Sequence, residues 1–103
     1  MHEQIFPAYK KGLKNLKSSG NKVAIKRLKE ILQTLNMGNL SDLQKFNLHP
    51  LHGVQKGLYG VHITADHQWV LVFQIKPPTS PKDPATLVLH CIGSHSDCYK
   101  YKK

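Results

Sequence analysis

Histidine is the residue type in this sequence that most needs a chemical explanation. The chain holds seven histidines in 103 residues, and an imidazole takes up or releases a proton near neutral pH. His49 precedes the segments that look like strands, His62 lies within one of them with Asp66 at the hairpin that follows, and His95 comes after the last. Imidazoles beside a carboxylate, in a cationic chain, suit proton transfer at a phosphate. We predict RNA cleavage at these four residues with no metal ion or other cofactor, leaving open which histidine is acid and which is base.

The C-terminal stretch LHCIGSHSDCYKYKK suggests two other chemistries. Its neighbouring Ser, His and Asp cannot form a catalytic triad, because adjacent side chains point apart while a triad converges in space. Cys91, His95 and Cys98 have a spacing that matches no standard zinc motif, so a metal-dependent regulator is the least favoured hypothesis. Cysteines in a cytosolic chain are seldom a disulfide framework. We therefore expect two free thiols.

The N-terminal half predicts two amphipathic helices, which must position the residues named above. Apolar residues recur at helical spacing in two stripes, and lysines occupy the remaining surface of the first. Pro7 suits the first turn of one helix, and Asn21 is the expected N-cap of the other. The two stripes are Ile5, Tyr9, Leu13 and Leu16, then Ile25, Leu28, Leu32 and Leu35.

The C-terminal half predicts strands. The stretches GLYGVHIT, WVLVFQI and ATLVLHCIG are short and rich in β-branched and aromatic residues, and HEQIF forms a first strand before the helices. WVLVFQI is apolar on both faces, so we expect it to be central. Pro50 argues that NLHPLHG is an edge strand or a loop. The predicted fold is α+β, with two N-terminal helices packed on a small antiparallel sheet in the order β-α-α-β-β-β, as a single domain over residues 1–103.

The charge and hydrophobicity of the sequence indicate which partners the chain can bind and in which compartment it is expected. The net charge of +9 favours polyanions or an acidic protein. No apolar run approaches the length of a membrane span, and the N-terminus lacks the apolar centre of a signal peptide. We expect a cytoplasmic protein with no membrane association.

Five motifs, in this order, resemble one known family: FPAYKKGLKNLK, LHPLHG, KGLYGVHI, WVLVF and IGSHSDCY. They are similar to the lysine-rich first helix, the DHPLKG and KGYRECHI motifs, the central strand and the LGTHSDLF tail of RelE-like toxins. These are toxins of bacterial toxin–antitoxin modules, and the resemblance is to their YafQ and HigB branches. It covers nearly the whole chain, and the tail motif is the most specific part.

The resemblance implies the RelE-like microbial ribonuclease fold and an mRNA endonuclease that acts without a metal, usually on the ribosome. It also implies an acidic antitoxin as partner, in a toxin–antitoxin hetero-oligomer. Carried over by motif, the catalytic residues are His49, His62, Asp66 and His95, with Asp66 a base or a residue that orients a histidine. The substrate-binding residues would be Tyr99, Lys56, Lys76 and Trp69, with Tyr99 stacking on a nucleobase.

The chain departs from this family at an arginine before the tail histidine, at an arginine that HigB-like members carry in the central strand, and in DHQW, where His67 and Gln68 separate the acid from the tryptophan. Cys91 and Val70 stand at the two arginine positions. A guanidinium can bind a phosphate through two parallel hydrogen bonds, whereas a lysine ammonium binds it only as a point charge. Lys56, Lys76 or His90 are the candidate replacements. The alternative hypothesis is therefore a module of the same fold that binds RNA or an acidic antitoxin but has lost catalysis.

Overall fold

The structure, a computed structural model, describes residues 2–37, 40–51, 57–64 and 69–99. Five strands, three α-helices and a 3₁₀ helix make up this part of the chain. In chain order they are β1 (His2–Ile5), α1 (Pro7–Ser18), α2 (Lys22–Asn36), the 3₁₀ helix (Leu40–Phe46), β2 (His49–Pro50), β3 (Tyr59–His62), β4 (Val70–Lys76), β5 (Thr86–Gly93) and α3 (His95–Tyr99).

The strands form one sheet in the order β1-β5-β4-β3-β2. The predicted α+β class is confirmed, and β4 is central as expected. Pro50 lies in β2 at the edge of the sheet, where its missing N–H does no harm. One pairing differs from the antiparallel expectation, because β1 runs parallel to β5. Parallel neighbours need a long connection, and every other element except α3 lies between these two strands in the chain.

Both faces of β4 are buried, in two separate clusters. Leu71 and Phe73 belong to the larger core, which the helices cover on one face of the sheet. Val70 and Val72 alternate with them and point to the opposite face, where they pack with Leu58, Leu51 and the two cysteines. The alternation predicted from the sequence is therefore confirmed. We call the second side the tail face, because α3 packs against it through Cys98.

Helix α1 lies so close to β5 that only glycine fits between them. A β-carbon on Gly12 would stand 1.8 Å from the backbone oxygen of Ile92. Pro7 is in the first turn of this helix, as predicted, and Asn21 caps α2 by accepting a hydrogen bond from the Ala24 N–H at 3.0 Å. The first stripe is partly wrong, since Ile5 ends β1 and is exposed. These contacts fix the helices on one face and leave the other for α3.

No helix in the described ranges is long and apolar enough to span a bilayer.

Candidate active site

Two of the predicted catalytic histidines are brought together by the pairing of β2 with β3. His49 lies opposite Gly60 in the register of these strands, and His62 follows two residues later at the end of β3. Side chains two residues apart on a strand share a face. The two rings meet edge to face with centroids 5.6 Å apart. His62 is nearly buried, with 8% of its surface exposed, whereas His49 is half-exposed.

Asn47 contacts both rings. It ends the 3₁₀ helix, where its own N–H donates to the Gln44 carbonyl at 3.0 Å, and its φ of +58° lies in the left-handed region. Asparagine is one of the few residues that adopt that region readily. Its backbone oxygen is 2.7 Å from His49 Nδ1, and its side-chain Nδ2 is 3.2 Å from His62 Nδ1. One residue therefore contacts both imidazoles at Nδ1.

The tail helix α3 begins at the same end of the sheet. Val70 pairs with His62 on one side and with Gly93 on the other, and α3 starts two residues after Gly93. The backbone N–H of Asp97 donates to Ser94 Oγ at 3.2 Å, and the Cys98 N–H donates to the Ser94 carbonyl at 3.0 Å. This turn directs α3 back over the tail face, the face on which His62 lies.

The expectation of two free thiols is wrong. Cys91 and Cys98 form a disulfide, with Cα atoms 5.8 Å apart, because the turn at Gly93 and Ser94 returns the chain over β5. Cys91 is buried on β5, and Cys98 is fully buried beside it. Their sulfur atoms are bonded to each other and do not offer a zinc-binding thiolate pair. No group of three His, Cys, Asp or Glu side chains in the described ranges is arranged to hold a metal ion.

The backbone of Trp69 is next to the histidine pair, since its carbonyl accepts a hydrogen bond from the Ile63 N–H at 2.9 Å, but its side chain is on the other face of the sheet. It packs against the larger core, on the side of the sheet opposite Val70, and it lines a cleft of about 640 Å³ with Lys11, Asn15 and Asp97. This cleft runs between α1 and the end of β5. It is next to α3 but is not formed by His49 or His62.

Lys76 is distant from the histidine pair, and His90 is buried. Lys76 is exposed at the far end of β4, roughly 20 Å along the strand from the residue that pairs with His62. His90 is 2% exposed, and its Nε2 is 3.3 Å from Gln74 Oε1. Neither stands beside the two rings as a replacement for an arginine.

Four predicted residues fall wholly or partly outside the described part of the chain. Asp66 and Lys56 lie outside it altogether. His95 and Tyr99 are the first and last residues of α3, so their backbone is placed at the tail face, but their side chains are not described. The structure thus joins His49 and His62, brings the His95 backbone to the same end of the sheet, and leaves Asp66 as a sequence prediction.

Two residues with a part in this site were missed by the sequence reasoning. The sequence could have indicated Asn47 as the end of a helix, since asparagine favours such positions. It could not have indicated that Asn47 contacts two histidine rings. Arg27, the only arginine, donates from Nε to the Ile63 carbonyl and lies 4.9 Å from the centre of the Phe46 ring. It holds α2 against the residue after His62 and has a structural role.

A sequence model of one protein family matches residues 2–100, and it is described as "Bacterial toxin of type II toxin-antitoxin system, YafQ". The chain belongs to the YafQ family. The match covers nearly the whole sequence and includes every residue of the histidine pair, Asn47 and α3. The resemblance to RelE-like toxins that the motifs indicated is confirmed at the level of family and of fold.

Solved structures of YafQ-type toxins have the same fold. YafQ from Escherichia coli strain BL21(DE3) superposes with a TM-score of 0.74 at 18% identity, over 94% of this chain and 96% of that one. YafQ in the E. coli DinJ–YafQ complex gives 0.72 at 18% identity over the same shares. A YoeB/ParE toxin from Agrobacterium tumefaciens gives 0.74 at 13% identity, over 92% and 99%. Among curated proteins, none matches this chain.

Proposed function

We propose that this YafQ-family toxin is an endoribonuclease that cleaves mRNA, in the setting of the ribosome, by histidine acid–base chemistry. The observation that carries the proposal is the pair formed by His49 and His62. Thirteen positions apart in sequence, they meet with ring centroids 5.6 Å apart, and neither is simply an isolated surface histidine. The backbone of His95, at the start of α3, lies at the same end of the sheet, which is consistent with a part for His95 in the reaction.

The reaction needs two proton transfers and a site for negative charge. A base removes the proton of the 2′-hydroxyl, and the 2′-oxygen then attacks the phosphorus. An acid gives a proton to the 5′-oxygen as the P–O5′ bond breaks. The products are a 2′,3′-cyclic phosphate and a 5′-hydroxyl. His49, His62, Asp66 and His95 supply these groups, and the proposed steps use no metal ion or cofactor.

Binding of RNA would use the cations and aromatic rings around this end of the fold. Trp69 lines the cleft of about 640 Å³ beside Lys11, which suits a nucleobase next to a phosphate. Tyr99, at the end of α3, would stack on a second base, with Lys56 and Lys76 contributing longer-range attraction. The net charge of +9 speeds encounter with the ribosome, whose surface is rich in phosphate.

An acidic antitoxin is the proposed partner, and the cytoplasm the proposed compartment. DinJ forms a complex with E. coli YafQ. In this chain a shallow groove on α1 is lined by Lys10, Lys14, Lys17 and the apolar Leu13. That combination suits an amphipathic acidic segment that folds on binding. Co-purification with a small acidic protein encoded beside the toxin gene tests this, and a toxin that stays alone when the two are co-expressed would contradict it.

A non-catalytic module that only binds RNA or antitoxin is the second candidate function. Cys91 and Val70 stand at positions where the resemblance leads us to expect arginine. Cys91 is held in a disulfide and Val70 is fully buried, so neither position offers a cation. This observation favours a weaker or altered catalyst.

Induction of the chain alone in bacteria, with mapping of mRNA 5′ ends, separates the two candidates. His49→Ala and His95→Ala should each lower cleavage by roughly 10² to 10⁴, the usual cost of losing an acid or base. Because such residues act as a unit, the two losses should not add. His2→Ala is the matched control, since His2 is exposed on β1 at the opposite edge of the sheet. New 5′ ends that persist in the His49 variant at the parental rate would refute the catalytic proposal.

A further inference from the structure

The contacts of Asn47 differ between the two rings in hydrogen-bond direction. A backbone oxygen can only accept, so the 2.7 Å contact between Asn47 O and His49 Nδ1 requires a hydrogen on His49 Nδ1. An amide nitrogen can only donate, so the 3.2 Å contact between Asn47 Nδ2 and His62 Nδ1 requires a lone pair on His62 Nδ1. The same residue thus demands opposite protonation at the same atom of two neighbouring histidines.

We infer that Asn47 is a positioning residue that assigns different roles to His49 and His62, an inference that rests on the proposed ribonuclease function. His49, with its hydrogen on Nδ1, presents a lone pair on Nε2. It can take a proton there while the bond to the Asn47 oxygen persists and strengthens, as for a histidine oriented by a fixed acceptor. His49 is therefore the general base that removes the 2′-hydroxyl proton.

His62 receives the complementary role. A neutral ring whose Nδ1 accepts a hydrogen bond carries its hydrogen on Nε2, and it becomes an imidazolium only by breaking the bond from Asn47. His62 is then a neutral donor, suited to a phosphate oxygen and to the charge that develops on it. The proton for the 5′-oxygen must come from another group, and His95 is the remaining histidine of the predicted set.

The backbone of Asn47 is as important to this arrangement as its side chain. Its φ of +58° turns the carbonyl towards His49 while the amide reaches His62. Glycine at this position keeps that backbone at no steric cost and removes only the contact to His62. Aspartate keeps the shape and tolerates the left-handed region, but its carboxylate only accepts. Asn47→Gly therefore removes the hydrogen bond to His62, whereas Asn47→Asp reverses its direction.

The test is a measurement of both ring tautomers in the intact chain, made by long-range ¹H–¹⁵N NMR on histidine-labelled protein at neutral pH. Spectra of His49→Ala and His62→Ala assign the signals. We expect a protonated Nδ1 in His49 and a protonated Nε2 in His62. Asn47→Asp should move the His62 hydrogen to Nδ1, whereas Asn47→Gly should leave His49 unchanged. Asn21→Asp makes the same charge change at the cap of α2, where aspartate also caps, and should alter neither ring.

Cleavage of ribosome-bound mRNA gives the second readout. Asn47→Asp and Asn47→Gly should each lower the rate at saturating substrate roughly 10-fold, about the effect of one lost hydrogen bond, with the apparent KM unchanged. A parent chain whose His62 is protonated on Nδ1, or an Asn47→Asp variant with parental tautomers, overturns the inference. Expected tautomers in a parent chain that cuts no mRNA would support the positioning by Asn47 and refute the proposed function instead.

Discussion

The disulfide between Cys91 and Cys98 should contribute measurably to stability through the short loop it closes. The two residues are seven positions apart, and the chain-entropy relation for a loop of that length predicts about 2.4 kcal/mol at 25 °C. For a domain near 100 residues, each kcal/mol shifts Tm by roughly 4–8 °C. Reduction should therefore lower Tm by roughly 10–20 °C. In the folded state the bond ties α3 to β5, and Cys98 is fully buried on the tail face.

Thermal melts with and without a thiol reductant, after long equilibration, measure this contribution. Reduction consumes two electrons, converts both sulfurs to thiols and oxidises the reductant to its disulfide. A Cys91→Ala, Cys98→Ala double variant is the control, because its melting should not respond to the reductant. Hydrogen exchange at the Cys98 N–H, which is bonded to the Ser94 carbonyl at 3.0 Å, should quicken on reduction while the amides of β4 remain protected.

A shift in Tm below about 3 °C, or an equal shift in the double variant, would refute the loop-entropy reasoning. The redox state of the disulfide should also affect mRNA cleavage. Thiols in the cytoplasm are kept mostly reduced, so the cleavage assay should be run on both forms. A reduced chain with α3 loosened and the predicted His95 less well held should cut more slowly than the oxidised one.

Two further predictions test packing and the tail. Gly12→Ala should destabilise the fold by about 3 kcal/mol or more, because the added carbon would meet the Ile92 backbone oxygen at 1.8 Å and overpacking of this severity lies at or above the usual range. Gly20→Ala is the matched control, costing roughly 1–2 kcal/mol for its left-handed backbone alone, and equal Tm losses in the two variants would contradict the close approach of α1 to β5. Asp97→Ala should leave mRNA cleavage near the parental rate and change the free energy of unfolding by no more than about 0.5 kcal/mol. The Asp97 side chain is exposed, and its hydrogen bond to Ser94 Oγ comes from the backbone N–H, which alanine keeps. A loss of cleavage as large as that of His95→Ala would instead make Asp97 a reactant.

Much of the fold was predictable because its determinants are local. Alternation along WVLVFQI placed Leu71 and Phe73 on one face and Val72 on the other, and a strand that is apolar on both sides has to lie inside a sheet. Asn21 and Pro7 mark helix starts through backbone groups within one turn. Pro50 excluded a central position for its strand because it lacks an N–H. Each of these inferences depends on residues only a few positions apart.

Identifying the candidate site required both the sequence and the tertiary structure. Residue type and motif order selected His49 and His62 from the sequence, since only a few side chains can transfer protons near neutral pH. Their ring separation and the opposite hydrogen-bond directions at Asn47 required the pairing of β2 with β3 and a left-handed backbone at one residue. The disulfide was missed for the same reason, because Cys98 reaches Cys91 only through the turn at Ser94.

The sequence by itself therefore determined which elements form, which faces they bury and which residue types can do chemistry. Tertiary structure decided the parallel pairing of β1 with β5, the bond between Cys91 and Cys98, and the protonation that Asn47 demands of two rings. The physical reason is range. Periodicity and caps act over a few residues along the chain, whereas a hydrogen bond or a disulfide depends on ångström-scale distances between segments that only the completed packing brings together.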